Sequence, residues 1–159
     1  MKTKEETVFL PAYQEIPDVG LFLEQTSKYV SGCLSEEAGI VLTPSMISNY
    51  VKQKLLAHPV KKQYSREQIA ELLVISLFKT VLSLEEIRTL LDAVHIREET
   101  ATVYETIRQM LGASLRKLPE HTPPAGRNGK KEVSADVLLD ATLLTLAHRL
   151  SLSRALARF

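Results

Sequence analysis

An all-α fold with at most one small hairpin is what this sequence predicts, on three observations. Apolar residues recur at three- and four-residue intervals along most of the chain, which gathers them on one face of successive helices. Two capping boxes, Ser65 to Gln68 and Ser83 to Glu86, stand directly before such runs and mark helix starts. No strand-rich segment interrupts them.

Taken in order, Pro11 and Pro17 bracket an irregular start. Asp18 can cap a helix to about Val30, with Val19, Phe22, Leu23, Thr26 and Val30 on one side. Ser31-Gly32 and Ala38-Gly39 read as breaks. Thr43-Pro44 is a strong helix start, because the threonine hydroxyl can cap and proline is tolerated at the first helical position. The short helix that follows, to about Lys54, has Met46, Ile47, Tyr50 and Val51 on its apolar side and Ser45, Ser48, Asn49, Lys52 and Gln53 on its polar side. Leu55 to Tyr64 contains Pro59 and no helical pattern, and reads as a loop or a minimal β-wing. Ser65 then opens a helix to about Val81 with Ile69, Leu72, Leu73, Ser76 and Leu77 inward, and Ser83 opens another carrying Ile87, Leu90 and Leu91. A longer helix is expected from about Glu98 to Leu118, with Val103, Ile107, Met110, Leu111, Ser114 and Leu118 on its stripe.

Residues 119–133 hold three prolines and two glycines and read as a surface linker. The last helix, about Ala135 to Ala157, differs in kind: from Val137 to Ala147 it is apolar on nearly every face, broken only by Asp140, Thr142 and Thr145. A helix hydrophobic all round is normally buried. Burial against a second copy through Leu138, Leu139, Leu143, Leu146 and Leu150 makes a homodimer the expectation, the alternative being that this helix completes the monomer core. The division expected is residues 1–95, with a core at 43–91, followed by a helical dimerisation region at 96–159.

The composition excludes more than it assigns. The chain has 159 residues, 45% of them hydrophobic and 25% charged, so it can bury a core without disulfides or a structural metal. Cys33 is the only cysteine, which leaves no disulfide framework and no thiolate metal site. No signal-peptide pattern and no apolar run of roughly 18 residues is present, so a soluble, cytoplasmic protein without a membrane partner is expected. His58, His95, His121 and His148 are scattered, with no metal-ligand spacing. Gly126 to Lys131 lacks the spacing and the Ser/Thr of a phosphate-binding loop. Glu85-Glu86 and Glu98-Glu99 sit at helix starts, where the macrodipole already explains them. No nucleophile, base and orienting group can be assembled, so neither an enzyme nor a cofactor is expected.

The net charge of +1 hides an uneven distribution. From Met1 to Leu42 there are seven acidic and three basic residues, whereas Thr43 to Arg66 holds five basic residues (Lys52, Lys54, Lys61, Lys62, Arg66) and no acid. A local field of one sign in a near-neutral chain is the footprint of a polyanion partner, or else a solvated basic face. Only nine aromatics are present, and Tyr64 alone lies among the basic turn residues, which disfavours stacking on single-stranded nucleic acid.

The order of Thr43, Met46-Ile47 with Tyr50, Leu55-Leu56, Pro59, Lys61-Lys62, Tyr64-Ser65, Ile69 to Val81, and Ser83-Leu84-Glu85-Glu86-Ile87 resembles a winged helix-turn-helix domain of the MerR type. Leu10-Pro11 through Pro17-Asp18, with Thr43 to Lys52, is more similar still to a YkrK-like family of small Firmicute-type proteins catalogued as a domain of unknown function. The resemblance implies a winged helix-turn-helix fold with a short wing, and a transcriptional regulator, a repressor, acting on double-stranded DNA. The chain departs from the MerR pattern in three places. Ser48-Asn49-Tyr50-Val51 stands where Arg-Tyr-Tyr-Glu is usual, the wing has no glycine, and metal-sensing cysteines have no counterpart. A small-molecule effector between the long and last helices is compatible with the pattern but unspecified.

On that resemblance the short helix enters the major groove, where polar side chains on its outer face reach base edges. Asn49 can pair bidentately with adenine, Ser45 and Ser48 can donate to base or phosphate, and Lys52 and Gln53 lie one turn further on. Lys61, Lys62 and Arg66 would neutralise phosphates. Tyr64 would offer its hydroxyl to a phosphate or cover the core, and Tyr50 belongs to the core. The competing reading is a helical protein-interaction or scaffolding module that uses the apolar C-terminal helix.

Overall fold

The computed structural model describes residues 9–95, 98–117 and 135–159. The chain divides into two compact units, Met1–Ala113 and Ser114–Phe159. It is mostly helical: α1 (Leu23–Ala38), α2 (Pro44–Lys52), α3 (Arg66–Phe78), α4 (Leu84–His95), α5 (Thr100–Lys117) and α6 (Ala135–Leu156), with two short strands, β1 (Leu21–Phe22) and β2 (Gln63–Tyr64). The expected linker at 119–133 lies outside the described residues, as does Leu118.

In the first unit α3 is the central helix. From Gln68 to Ser76 every residue except Glu71 is buried, so this helix is enclosed rather than laid on a surface. Both capping boxes form. Ser65 N–H donates to Gln68 Oε1 at 3.0 Å and Gln68 N–H to Ser65 Oγ at 3.3 Å. Ser83 N–H donates to Glu86 Oε2 at 2.8 Å and Glu86 N–H to Ser83 Oγ at 3.2 Å. α3 ends at Phe78, not near Val81, because Lys79 to Val81 tighten into a turn that delivers Leu82 to the core.

The segment before α1 departs from expectation. Asp18 starts no helix; Gly20 is left-handed at φ 74°, and Leu21 and Phe22 pair antiparallel with Tyr64 and Gln63. Glycine suits this position on two counts, since a Cβ there would also lie 3.0 Å from Gln63 Oε1 and 3.2 Å from Gln63 Cβ. Val19 and Phe22, expected inward, are therefore 81% and 50% exposed. The expected break at Ser31-Gly32 is also absent, and α1 runs on to the left-handed cap at Gly39. Its reason is tertiary: Ser31 Oγ accepts the Leu42 N–H at 2.9 Å, and Ser27 Oγ donates to the Leu42 carbonyl at 2.7 Å. Two serines of α1 thus hold both polar groups of the residue that precedes the α2 cap, which fixes the α1–α2 turn.

The irregular start forms a strap across α3 and α5. Leu10 and Ile16 are each 1% exposed. Tyr104 Oη donates to the Pro11 carbonyl at 2.8 Å, Arg108 Nε to the Leu10 carbonyl at 3.0 Å, and Tyr13 N–H to Glu105 Oε1 at 2.6 Å. Met110, placed on the α5 stripe by its spacing, is 64% exposed. No residue of α6 is buried among those described.

Candidate nucleic-acid interface

The geometry of α2 follows from its sequence. Thr43 Oγ1 accepts the Met46 N–H at 3.2 Å, and Pro44 occupies the first turn. Ile47, Tyr50 and Val51 fall on one side and are buried. Helical spacing then turns Ser45, Ser48, Asn49 and Lys52 together to the other side, where all four are exposed, as is Gln53 at the C-cap. The Tyr50 hydroxyl is buried with no hydrogen-bond partner among the described residues, and burial raises its pKa.

The helix ends in a Schellman motif, with Leu55 N–H bonding the Tyr50 carbonyl at 2.9 Å and Lys54 N–H the Val51 carbonyl at 3.0 Å. The residue usually left-handed at this place is glycine; here it is Lys54, at φ 58°. Arg88 of α4 donates to the Gln53 carbonyl and satisfies the end of α2. Gln68 Nε2 donates to the carbonyls of Ala57 at 2.9 Å and His58 at 3.3 Å, tethering the loop to the central helix.

Residues 60–63 form a two-residue turn. Gln63 N–H bonds the Val60 carbonyl at 2.9 Å, and the central residues Lys61 and Lys62 have φ of 51° and 63°. Positive φ at both positions defines the type I′ turn, which favours Asn-Gly because a Cβ in this region costs roughly 1 kcal/mol or more per residue. Both lysines are exposed. Beyond the turn the chain does not form a separate hairpin, since β2 pairs with β1.

Two of the expected contact residues are engaged within the protein. Tyr64 is 4% exposed, so its ring belongs to the core, the second of the two roles its position allowed. Arg66 is occupied: Nε donates to the Ile16 carbonyl at 2.8 Å, NH1 donates to Gln14 Oε1 at 3.2 Å and lies 3.7 Å from Asp18 Oδ2, and its Cζ stands 5.8 Å from the centre of the Tyr13 ring. It locks the N-terminal strap to α3. Ser45, Ser48, Asn49, Lys52, Gln53, Lys61 and Lys62 remain on the surface. Lys54 joins them and was missed, because no sequence pattern marks a lysine that will stand where a helix-ending glycine is usual. Arg88 was missed as well, since its partner is a backbone carbonyl on another helix.

In the second unit the expected seam is exposed: Leu138 55%, Leu139 58%, Leu143 53%, Leu146 50% and Leu150 48%. No helix among the described residues is long and apolar enough to cross a membrane, and none of their His, Cys, Asp and Glu side chains form a group that could hold a metal ion.

The family described as domain of unknown function DUF1836 matches residues 11–108. The chain belongs to that family. The match runs from Pro11, whose carbonyl accepts from Tyr104, to Arg108, which holds the Leu10 carbonyl just outside it. It therefore contains the strap from Pro11 on, α1 to α4, the lysine turn and the α5 side chains that pin the strap, and it leaves α6 outside. No curated protein and no solved structure matches the chain.

Proposed function

We propose that the chain binds double-stranded DNA through α2 and the 60–63 turn, as a dimeric transcriptional regulator acting as a repressor. The observation that carries this reading is a face. Ser45, Ser48, Asn49 and Lys52 are exposed on a helix whose opposite side is fixed in the core, and Lys61 and Lys62 are exposed at the tip of the next turn, in a stretch without one acidic residue. A rigid helix presenting donors to base edges, with cations beside it for phosphates, is the arrangement that major-groove reading needs. The order α1, tight turn, α2, lysine turn, α3, α4 supports a MerR-like winged helix-turn-helix with a rudimentary wing. Dimerisation falls to α6 and serves a pseudo-palindromic operator. The exposed leucines of α6 also favour a second reading, a scaffolding module that binds another protein through this helix.

The test is fluorescence anisotropy with duplexes from the protein's own upstream region and with random duplexes, at two salt concentrations. The upstream duplex is expected to bind about a thousandfold more tightly or better. Lys61→Ala/Lys62→Ala weakens both duplexes by a similar factor, because phosphate contacts carry no sequence information. Equal affinity for both duplexes overturns the regulator, and no binding at low salt overturns DNA binding altogether.

A further inference from the structure

Among the described residues, the only non-glycine residues with positive φ are Lys54, Lys61 and Lys62. All three belong to the acid-free segment, and they stand at two separate places: the end of α2 and the tip of the turn. Each is a position where glycine or asparagine would relieve backbone strain at no loss of packing, since all three side chains are exposed. Strain at one lysine is unremarkable; the same residue type at every such place asks for a cause.

The folded state does not supply one. Among the described residues none of these lysines makes an ion pair or a side-chain hydrogen bond. Lys54 borders a cleft with Glu71, Arg88, Asp92 and His95, yet neither carboxylate there pairs with it. The helix dipole favours a cation near the end of α2, but Lys52, in ordinary helical geometry, already meets that preference without strain.

We propose that Lys54 is a further phosphate contact, and that the left-handed backbone at residues 54, 61 and 62 sets where three ammonium groups leave the surface. The inference rests on the duplex-binding reading above and deepens it. The three cations stand at two separate places in the acid-free segment, the end of α2 and the turn tip, and cations at more than one place suit an extended polyanion rather than one small anion.

The experiment pairs thermal unfolding with anisotropy on the full chain, using Lys54→Gly and Lys54→Arg. Glycine removes the strain and the charge together, so Lys54→Gly is expected to melt about 3 °C higher. Its binding is expected to weaken by about tenfold at roughly 50 mM salt, with the slope of log affinity against log salt shallower by about 0.9. Lys54→Arg keeps both the slope and the melting temperature of the parent. A Lys54→Gly protein that binds with the parent's affinity and slope overturns the contact, and one that melts lower overturns the strain argument. A parent chain that binds no duplex overturns the underlying reading itself, an outcome visible before any variant is compared.

Discussion

Glu71 lies on α3 between Ala70 and Leu72, both 0% exposed, and makes no hydrogen bond or ion pair among the described residues. Burial, with a smaller contribution from the Glu67 carboxylate, pushes its carboxyl from an ordinary 4.5 up to about 7. The native state therefore holds a proton that the unfolded chain releases between those two values. The contribution of this one group to stability is full below about 4.5 and is lost as pH rises through about 7, by roughly 2–3 kcal/mol in all. Urea unfolding at pH 5 and pH 8 checks this. Glu71→Gln is expected to flatten the fall and to be the more stable protein at pH 8; an unchanged pH slope would place the carboxyl in water. At this scale the sequence was informative wherever helical spacing alone decides exposure, as for Ile47, Tyr50 and Val51 against Ser45, Ser48, Asn49 and Lys52. It was uninformative for Tyr64, Arg66 and Lys54, whose roles depend on a strand partner, on carbonyls far away in sequence, and on a backbone conformation that lysine does not announce.

At the scale of elements, local chemistry and tertiary contact divide the outcome. The starts of α2, α3 and α4 were legible because each is set by a hydroxyl and the next few residues. The start of α1 was not, because β1 exists only by pairing with β2 about forty residues later. Ser31 read as a breaker because serine competes locally for backbone groups; it remains helical because Leu42 takes that capacity instead. The strap carries the corresponding prediction for Arg66. Arg66→Ala removes its bond to the Ile16 carbonyl, the Gln14 and Asp18 contacts and the stacking on Tyr13, and is expected to destabilise by about 1–3 kcal/mol in chemical denaturation. Because that guanidinium is committed to the strap, the salt dependence of duplex binding should not change with it. A shallower slope without loss of stability would restore Arg66 as a phosphate contact.

For the molecule as a whole, the two units raise different questions. The first has a closed core around α3 and exposed polar and cationic residues on α2 and at the 60–63 turn. The second offers a helix on which no described residue is buried and whose leucines lie in water. Exposing so much apolar surface is unfavourable unless a partner covers it. Leu143→Asp/Leu146→Asp places charge in the middle of the proposed seam, and sedimentation should report a dimer for the parent chain and a monomer for the variant. A monomeric parent would move this helix to the scaffolding reading. The central claim concerns the other face, and it is tested most directly by titrating the isotopically labelled protein with a short duplex and following backbone amide shifts. The account predicts that the shifts gather at residues 44–54 and 60–63, with α6 unaffected. Shifts confined to α6, or none at low salt, would contradict it.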